Sequence, residues 1–300
     1  MTDLNPSPVQ VISATDWGAT SIGVVGGGTM GVGIAYVYAV AGWQTTVVEP
    51  DDERARSMMQ TIESAAQNGL KRGKLSAAEA ERVTRTVRRV ASIAELPLNL
   101  DLVIETVPER LPLKRQVLAE IEARSPKIIA SNTSALSIDT LAQPLRDPGT
   151  FLGMHFFNPV WSLPMVELIR GAQTSEQTLA LARSYAQATG KETITVRDVP
   201  GFATSRLDLV ASLEAMRMLQ DGVASAEDID RAMVIAYRHP MGPLRLSDIV
   251  GLDVRLDIAR NLNIELGARY APPQILQDLV AKGHLGKKTG RGFFDWSQTL

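Results

Sequence analysis

The first strong pattern along the chain is a short apolar run, a cluster of glycines, and then apolar positions at helical spacing. "SIGVVGGGTMGVGIAYVYAVAG" reads as a buried strand, a tight turn and a helix that ends at Gly42. "WQTTVVEP" reads as a second strand. The stretch "DDERARSMMQTIESAAQNGLKRGKLSAAEAERVTRTV" is helical with a break at "RGKLS", where Ser76 and Glu79 have the spacing of a capping box. Buried strands follow at 100–107, 127–132 and 150–158, separated by amphipathic stretches, and "VELIRG" and "ETITVRD" read as two more. Strand and helix patterns alternating in this way predict a doubly wound α/β domain, a mostly parallel sheet with helices on both faces. From Pro200 onward the pattern is almost entirely helical, over 202–221, 225–237, 243–264 and 272–282, punctuated by Gly222, Gly242 and Gly283. Ser225, followed by Glu227 and Asp228, has the character of a helix start. The expected organisation is an extension over 1–19, a Rossmann-type domain over 20–199 and an all-α domain over 200–300. No internal repeat or low-complexity tract interrupts it.

The bulk numbers narrow the function classes. With 300 residues, 45% of them hydrophobic and 21% charged, the chain has an ordinary globular balance. A net charge of −2 gives no global basic field for nucleic acid or an anionic membrane. The absence of cysteine excludes disulfides, thiol nucleophiles and thiolate metal sites, and fits a reducing cytosol. The first residues, polar with two prolines and no Lys or Arg, do not resemble a secretory signal or an Arg-rich transit peptide. No apolar run reaches spanning length. A cytoplasmic protein with a small-molecule substrate, no metal, no membrane and no nucleic-acid partner is expected.

The glycines carry the first chemistry. Gly26-x-Gly28-x-x-Gly31 follows a predicted strand and opens a predicted helix, and Glu49 ends the next strand about 20 residues later. A glycine triplet alone is weak evidence and could simply be a packed turn; this context makes it a dinucleotide-binding fingerprint. Gly26 allows the tight turn, Gly28 lets a pyrophosphate approach the backbone, and Gly31 lets helix and strand pack closely. The free N–H groups of the helix start, around Thr29 and Met30, would face the phosphates. Glu49 would accept hydrogen bonds from the adenosine ribose and repel a 2′-phosphate, which favours NAD over NADP. Arg54 and Arg56, one helical turn on, weaken that preference.

Two further clusters stand at strand ends, where ligands of open parallel sheets bind. One is Ser131, Asn132, Thr133 and Ser134, residues that could equally cap a helix. The other is His155, one of three histidines, set in the apolar run "GMHFFNPV", with Glu167 in the next apolar run. A lone histidine in such a run is more often a hydrogen-bonded core residue. A carboxylate able to reach the imidazole changes that reading, because it fixes the tautomer and stabilises the charged ring of an acid/base.

These motifs together resemble the L-3-hydroxyacyl-CoA dehydrogenase family, including bacterial 3-hydroxybutyryl-CoA dehydrogenases. The matching stretches are "GGGTMG" (26–31), "DLVIETVPE" (101–109), "SNTSALSI" (131–138), "GMHFFNPV" (153–160), "VELIRG" (166–171), "PGF" (200–202), "GVASAEDIDRAM" (222–233), "HPMGP" (239–243) and "GKKTGRGFFDW" (286–296). The resemblance implies an NAD-dependent oxidoreductase of fatty acid metabolism that interconverts 3-hydroxyacyl-CoA and 3-oxoacyl-CoA, and a homodimer formed through the helical domain. It places the catalytic acid/base on His155, its orienting glutamate on Glu167 and a substrate-contacting serine on Ser134. It implies cofactor contacts at Glu49, Glu109, Lys114, Asn132, Ser134, Asn158 and Lys288. Ser64 and Lys71, two helical turns apart, fall on positions associated with the CoA part, although Lys71, Arg72 and Lys74 would also suit a solvated helix face.

The sequence departs from the family at the pocket wall. The helical domain of the family opens Pro-Gly-Phe-x-x-Asn-Arg; here the run is "PGFATSR", with Ser205 in the Asn position. In "VWSLPMVE" (160–167), Trp161 replaces a usual Pro and Pro164 a usual Lys. The expectation is therefore a 3-hydroxyacyl-CoA dehydrogenase that keeps Asn158 as a substrate contact and has an acyl pocket altered at Trp161 and Ser205. Two alternatives remain open: a dehydrogenase of a free 3-hydroxy acid, and a catalytically silent NAD-binding protein.

Overall fold

The computed structural model describes residues 20–297. The extension expected over 1–19 lies outside the described residues. The chain divides into two compact units, one ending at Asp198 and one beginning at Val199.

The first unit is built on an eight-stranded sheet in the order β3-β2-β1-β4-β5-β6-β7-β8. Its strands are β1 (Ser21–Val25), β2 (Gln44–Val48), β3 (Val87–Val90), β4 (Leu102–Glu105), β5 (Ile129–Ser131), β6 (Phe151–Phe156), β7 (Met165–Arg170) and β8 (Glu192–Arg197). The first six run parallel, joined through α1 (Thr29–Val40), α2 (Asp52–Lys71), α3 (Ala77–Thr86), α4 (Leu111–Glu122) and α5 (Ile138–Ala142). The chain then turns back, and β7 pairs antiparallel with β6. The reason is length. Residues 157–164 are too few for a crossover, which needs roughly a dozen or more, so the strand can only return alongside its neighbour. Between β7 and β8 there is room for α6 (Glu176–Gln187), and that pair is parallel again.

Local sequence explains most of these elements. In α2 the residues Ala55, Met58, Ile62, Ala66 and Gly69 form one buried stripe and the remaining positions stay largely in water. Asp51 caps its start by accepting from Arg54 N at 2.8 Å. Ser76 and Glu79 form the capping box at the start of α3. Helix α1 is buried from Gly31 to Ala39, in keeping with its unbroken apolar sequence. Its residues Ile34 and Tyr38 join Trp43, Met58, Ile62, Val83 and Tyr185 in one core.

Two elements differ from the sequence pattern. Residues 87–90, at the end of the long helical stretch, form the edge strand β3. In the helical unit, the single helix expected over 243–264 is two: α9 (Pro243–Val250) and α10 (Leu252–Leu266). Gly251 separates them at φ 106°, a conformation that a helix excludes and L side chains rarely adopt. The other helices of this unit are α7 (Thr204–Gln220), α8 (Ala226–Tyr237) and α11 (Gln274–Ala281). Their core contains Leu209, Leu213, Met216, Leu244, Leu256 and Trp296. Buried Asp248 ties the C-terminal segment to it, accepting from Phe293 N, Phe294 N and Trp296 Nε1 at 2.9–3.0 Å. Among the described residues, no helix is long and apolar enough to cross a membrane.

Candidate active site

The turn after β1 is shaped by its glycines. Gly26 has φ 113°, and its N–H donates to Val48 O at 3.0 Å. Thr106 Oγ1 donates to Gly26 O at 2.9 Å and braces the turn from β4. A Cβ on Gly31 would stand 1.8 Å from Gly26 O, so helix and turn meet at a distance only glycine permits. Gly28, the N-cap of α1, contrasts with both. A Cβ there would meet nothing within 4 Å, and no side chain caps the helix. The helix start therefore presents uncapped N–H groups to open space, with Thr29 exposed and Met30 half-buried beside it. Those features fit the pyrophosphate of a dinucleotide.

Glu49 follows β2 and is 4% exposed. Its Oε2 accepts from Gly27 N at 3.1 Å. Its Oε1 accepts from Asp51 N and from Arg54 Nε, each at 3.1 Å, and Arg54 Nη2 lies 3.1 Å away as well. The carboxylate expected at the ribose thus sits against the glycine turn, with a guanidinium already on it.

Beyond β4 lies a network in which one residue, Glu105, carries no role in the sequence reading. Glu105 is 0% exposed and Lys114 is 1% exposed. Lys114 Nζ donates to both Glu105 oxygens at 2.8 and 3.0 Å and to Val107 O at 3.1 Å, and it pairs with Glu109 Oε2 at 3.2 Å. Ser131 Oγ and Val107 N each donate to Glu105 at 2.6 Å. Burial raises the pKa of Glu105, against the opposing pull of Lys114. For Glu109 burial also disfavours charge, but Lys114 and the donors around it outweigh that and lower its pKa. Those donors are Thr133 Oγ1, Ser134 N at 3.1 Å and Ala135 N at 3.2 Å. Glu109 therefore fixes the polar cluster at 133–135 to the loop after β4. Lys114, whose ammonium protons are all engaged inside the protein, acts on that cluster through Glu109. An acidic residue closing an apolar strand, Glu105 in "LVIE", was the available sign of this network.

His155 and Glu167 are direct partners in the β6–β7 register, with Nδ1 3.1 Å from Oε2. Both are buried, Glu167 completely, because β7 is flanked by β6 and β8. The Phe157 ring packs on the imidazole at 4.3 Å between centroids. Asn132 Oδ1 accepts from Phe156 N at 2.8 Å and so locks the end of β6 to the end of β5. Ser134 is exposed beyond β5, and Asn158 is exposed just beyond β6.

The remaining expected residues are more scattered. Ser64 and Lys71 are both exposed on α2, with Lys71 its last residue. Trp161 is 47% exposed and packs edge-on against Tyr36 of α1, with ring centroids 6.0 Å apart. Its segment is anchored by Lys191, whose ammonium donates to Val160 O and Leu163 O at 2.6 and 2.7 Å. In the helical unit, half-buried Ser205 lies in the first turn of α7. Lys288 holds both oxygens of Asp253 at 2.6 Å.

A Rossmann-type sheet with this glycine turn, followed by a helical unit, defines an NAD-binding oxidoreductase. Residues 21–199 match the NAD binding domain of 3-hydroxyacyl-CoA dehydrogenase, and residues 201–296 match its C-terminal domain. A 3-hydroxybutyryl-CoA dehydrogenase of Mycobacterium tuberculosis is 38% identical over 280 residues, covering 92% of this chain and 98% of that one. The human mitochondrial hydroxyacyl-coenzyme A dehydrogenase is 35% identical over 283 residues, covering 91% and 90%. The crystal structure of (S)-3-hydroxybutyryl-CoA dehydrogenase from Ralstonia eutropha superposes with a TM-score of 0.88 at 38% identity, covering 93% and 99%. The chain belongs to the 3-hydroxyacyl-CoA dehydrogenase family.

Proposed function

We propose that the protein interconverts a 3-hydroxyacyl-CoA and a 3-oxoacyl-CoA with NAD(H), using His155 as the acid/base. The observation that carries this reading is the buried His155–Glu167 pair, Nδ1 to Oε2 at 3.1 Å, at the carboxyl end of β6. With Nδ1 committed to Glu167, Nε2 is the nitrogen that exchanges the proton. In oxidation it takes the proton of the 3-hydroxyl as hydride leaves C3; in reduction the imidazolium returns it. Glu167 holds the ring in one orientation and stabilises its positive charge. Bound NAD supplies the hydride acceptor, and the protein supplies placement and electrostatics.

Other residues have supporting roles. Ser134 and Asn158 hydrogen-bond the reacting end of the substrate and the nicotinamide side of the cofactor. Glu109 positions Ser134 through its backbone, and Lys114 positions Glu109. Glu49 and the turn Gly26–Gly31 hold the adenosine and the pyrophosphate, and Lys288 is a further cofactor contact. Ser64 and Lys71 contact the CoA portion. Ser205, shorter than the family Asn, leaves room for a larger acyl group or a water. NAD(H) is preferred over NADP(H). The protein works in the cytoplasm, in fatty acid metabolism, as a homodimer formed through the helical unit, whose exposed Leu207, Ile235, Tyr237 and Ile264 suit such an interface.

The experiment is a turnover panel: short and bulky 3-oxoacyl-CoA thioesters with NADH, beside the corresponding free 3-oxo acids. Turnover of the thioesters is expected. Turnover confined to the free acids would reassign the substrate class, and absence of turnover with intact NADH binding would reduce the protein to a dinucleotide binder.

A further inference from the structure

The ion pair between Arg54 and Glu49 changes what the ribose carboxylate can do. A carboxylate has about four acceptor positions, two on each oxygen. Oε1 of Glu49 is filled by Asp51 N and the Arg54 guanidinium, and Oε2 already accepts from Gly27 N. One position on Oε2 is left for a ribose diol that offers two donors. To hold both hydroxyls, Glu49 must release Arg54.

The other charges around it do not compete for this place. Arg89 donates to Glu49 O and Pro50 O and pairs with Asp52 at 2.8 Å. Asp51 is engaged as the cap of α2. Arg56 has no contact with Glu49. Among the described residues Arg54 is the cation on the carboxylate, and its side chain is 69% exposed, so its head can swing without disturbing the core.

We infer that Arg54 is a specificity-determining residue that narrows the preference for NAD(H) over NADP(H). It acts in two ways. It compensates the Glu49 charge that would repel a 2′-phosphate, and it offers that phosphate a guanidinium where the 2′-oxygen meets Glu49. The inference rests on the dinucleotide site proposed above.

Fluorescence titration of NADH and of NADPH tests it without any substrate, using wild type, Arg54→Gln and Arg56→Gln at low and high salt. Removing one cation beside a nearly dianionic phosphate at the surface should raise the ratio Kd(NADPH)/Kd(NADH) about tenfold in Arg54→Gln. The change should come from weaker NADPH binding and shrink at high salt. Arg56→Gln should move the ratio less than twofold. A ratio unchanged in Arg54→Gln, or a loss of NADH affinity with NADPH unaffected, would overturn the inference and leave Arg54 as a support for Glu49. If wild type binds neither nucleotide, the dinucleotide reading itself fails and this inference with it.

Discussion

His155 and Glu167 face each other across the antiparallel β6–β7 pair, with Nδ1 and Oε2 3.1 Å apart and both side chains buried. The pair depends on the short return at residues 157–164. A full crossover would have carried β7 away in a parallel direction and changed which residues stand opposite each other. The carboxylate is thus held by the sheet itself, and the imidazole cannot rotate without breaking that contact.

His155→Gln should lower kcat by at least ~10²-fold, the low end for losing a general acid/base. Glu167→Gln should also lower kcat, because the ring loses its orienting charge. NADH affinity, read by fluorescence titration, should change little in either variant. Near-normal turnover by His155→Gln with the true substrate would remove the imidazole from the mechanism.

Lys114→Met would leave Glu105 buried without its cation. A loss of about 3–5 kcal/mol in denaturant unfolding is expected, the usual cost of breaking a buried ion pair on one side. Adding Glu105→Gln should restore part of it, since the uncompensated charge is then gone. A single-variant cost under ~1 kcal/mol would show that the network contributes little to stability.

The contribution of Glu109 should depend on pH. Its folded pKa lies below the ordinary 4.5, so its ionised form stabilises the fold above that value. That stabilisation is lost as pH falls through the depressed folded pKa. Glu109→Gln should therefore be less stable than wild type at pH 7, with the gap closing below pH 4.5. Unfolding curves at pH 7 and at mildly acidic pH check this; a gap that is constant or widens in acid would contradict it.

Gly31→Ala and Gly28→Ala should separate packing from ligand approach. The first places a methyl 1.8 Å from Gly26 O, and should cost at least ~1–3 kcal/mol of stability along with NADH affinity. The second meets no protein atom within 4 Å, so the melting temperature should hold while NADH binding weakens. Equal melting temperatures for both variants would sink the distinction.

Ser205→Asn restores the family side chain at the start of α7. It should raise kcat/KM for a short 3-oxoacyl-CoA relative to a bulky one, by roughly 10–200-fold if the pocket difference is worth ~1–3 kcal/mol. A ratio within twofold of wild type would mean that this position does not set acyl specificity.

Much of the fold was readable from the chain because its signals are local. The glycine turn, the capping box at Ser76 and Glu79 and most strands follow from side-chain size and apolar spacing over a few residues. Strand β3 was hidden because Ala80, Val83, Val87 and Val90 continue a helical spacing; only pairing with β2 draws 87–90 into the sheet. The break at Gly251 was hidden for a similar reason, since Leu244, Leu252, Leu256 and Ala259 keep one apolar stripe through it.

By itself the sequence determined most element types, the glycine turn and the candidacy of His155 and Glu167 as partners. Each depends on residue chemistry at short range. The tertiary structure decided which charges meet. Lys114 is buried between Glu105 and Glu109, although lysine belongs in water by default, because α4 packs beside β4 and three acceptors replace its hydration. Arg54 sits on Glu49 because the first turn of α2 folds back over the end of β2. Glu167 reaches His155 because a short return sets two strands in register. Long side chains with many rotamers leave such meetings open in the sequence, and the packed backbone selects one of them.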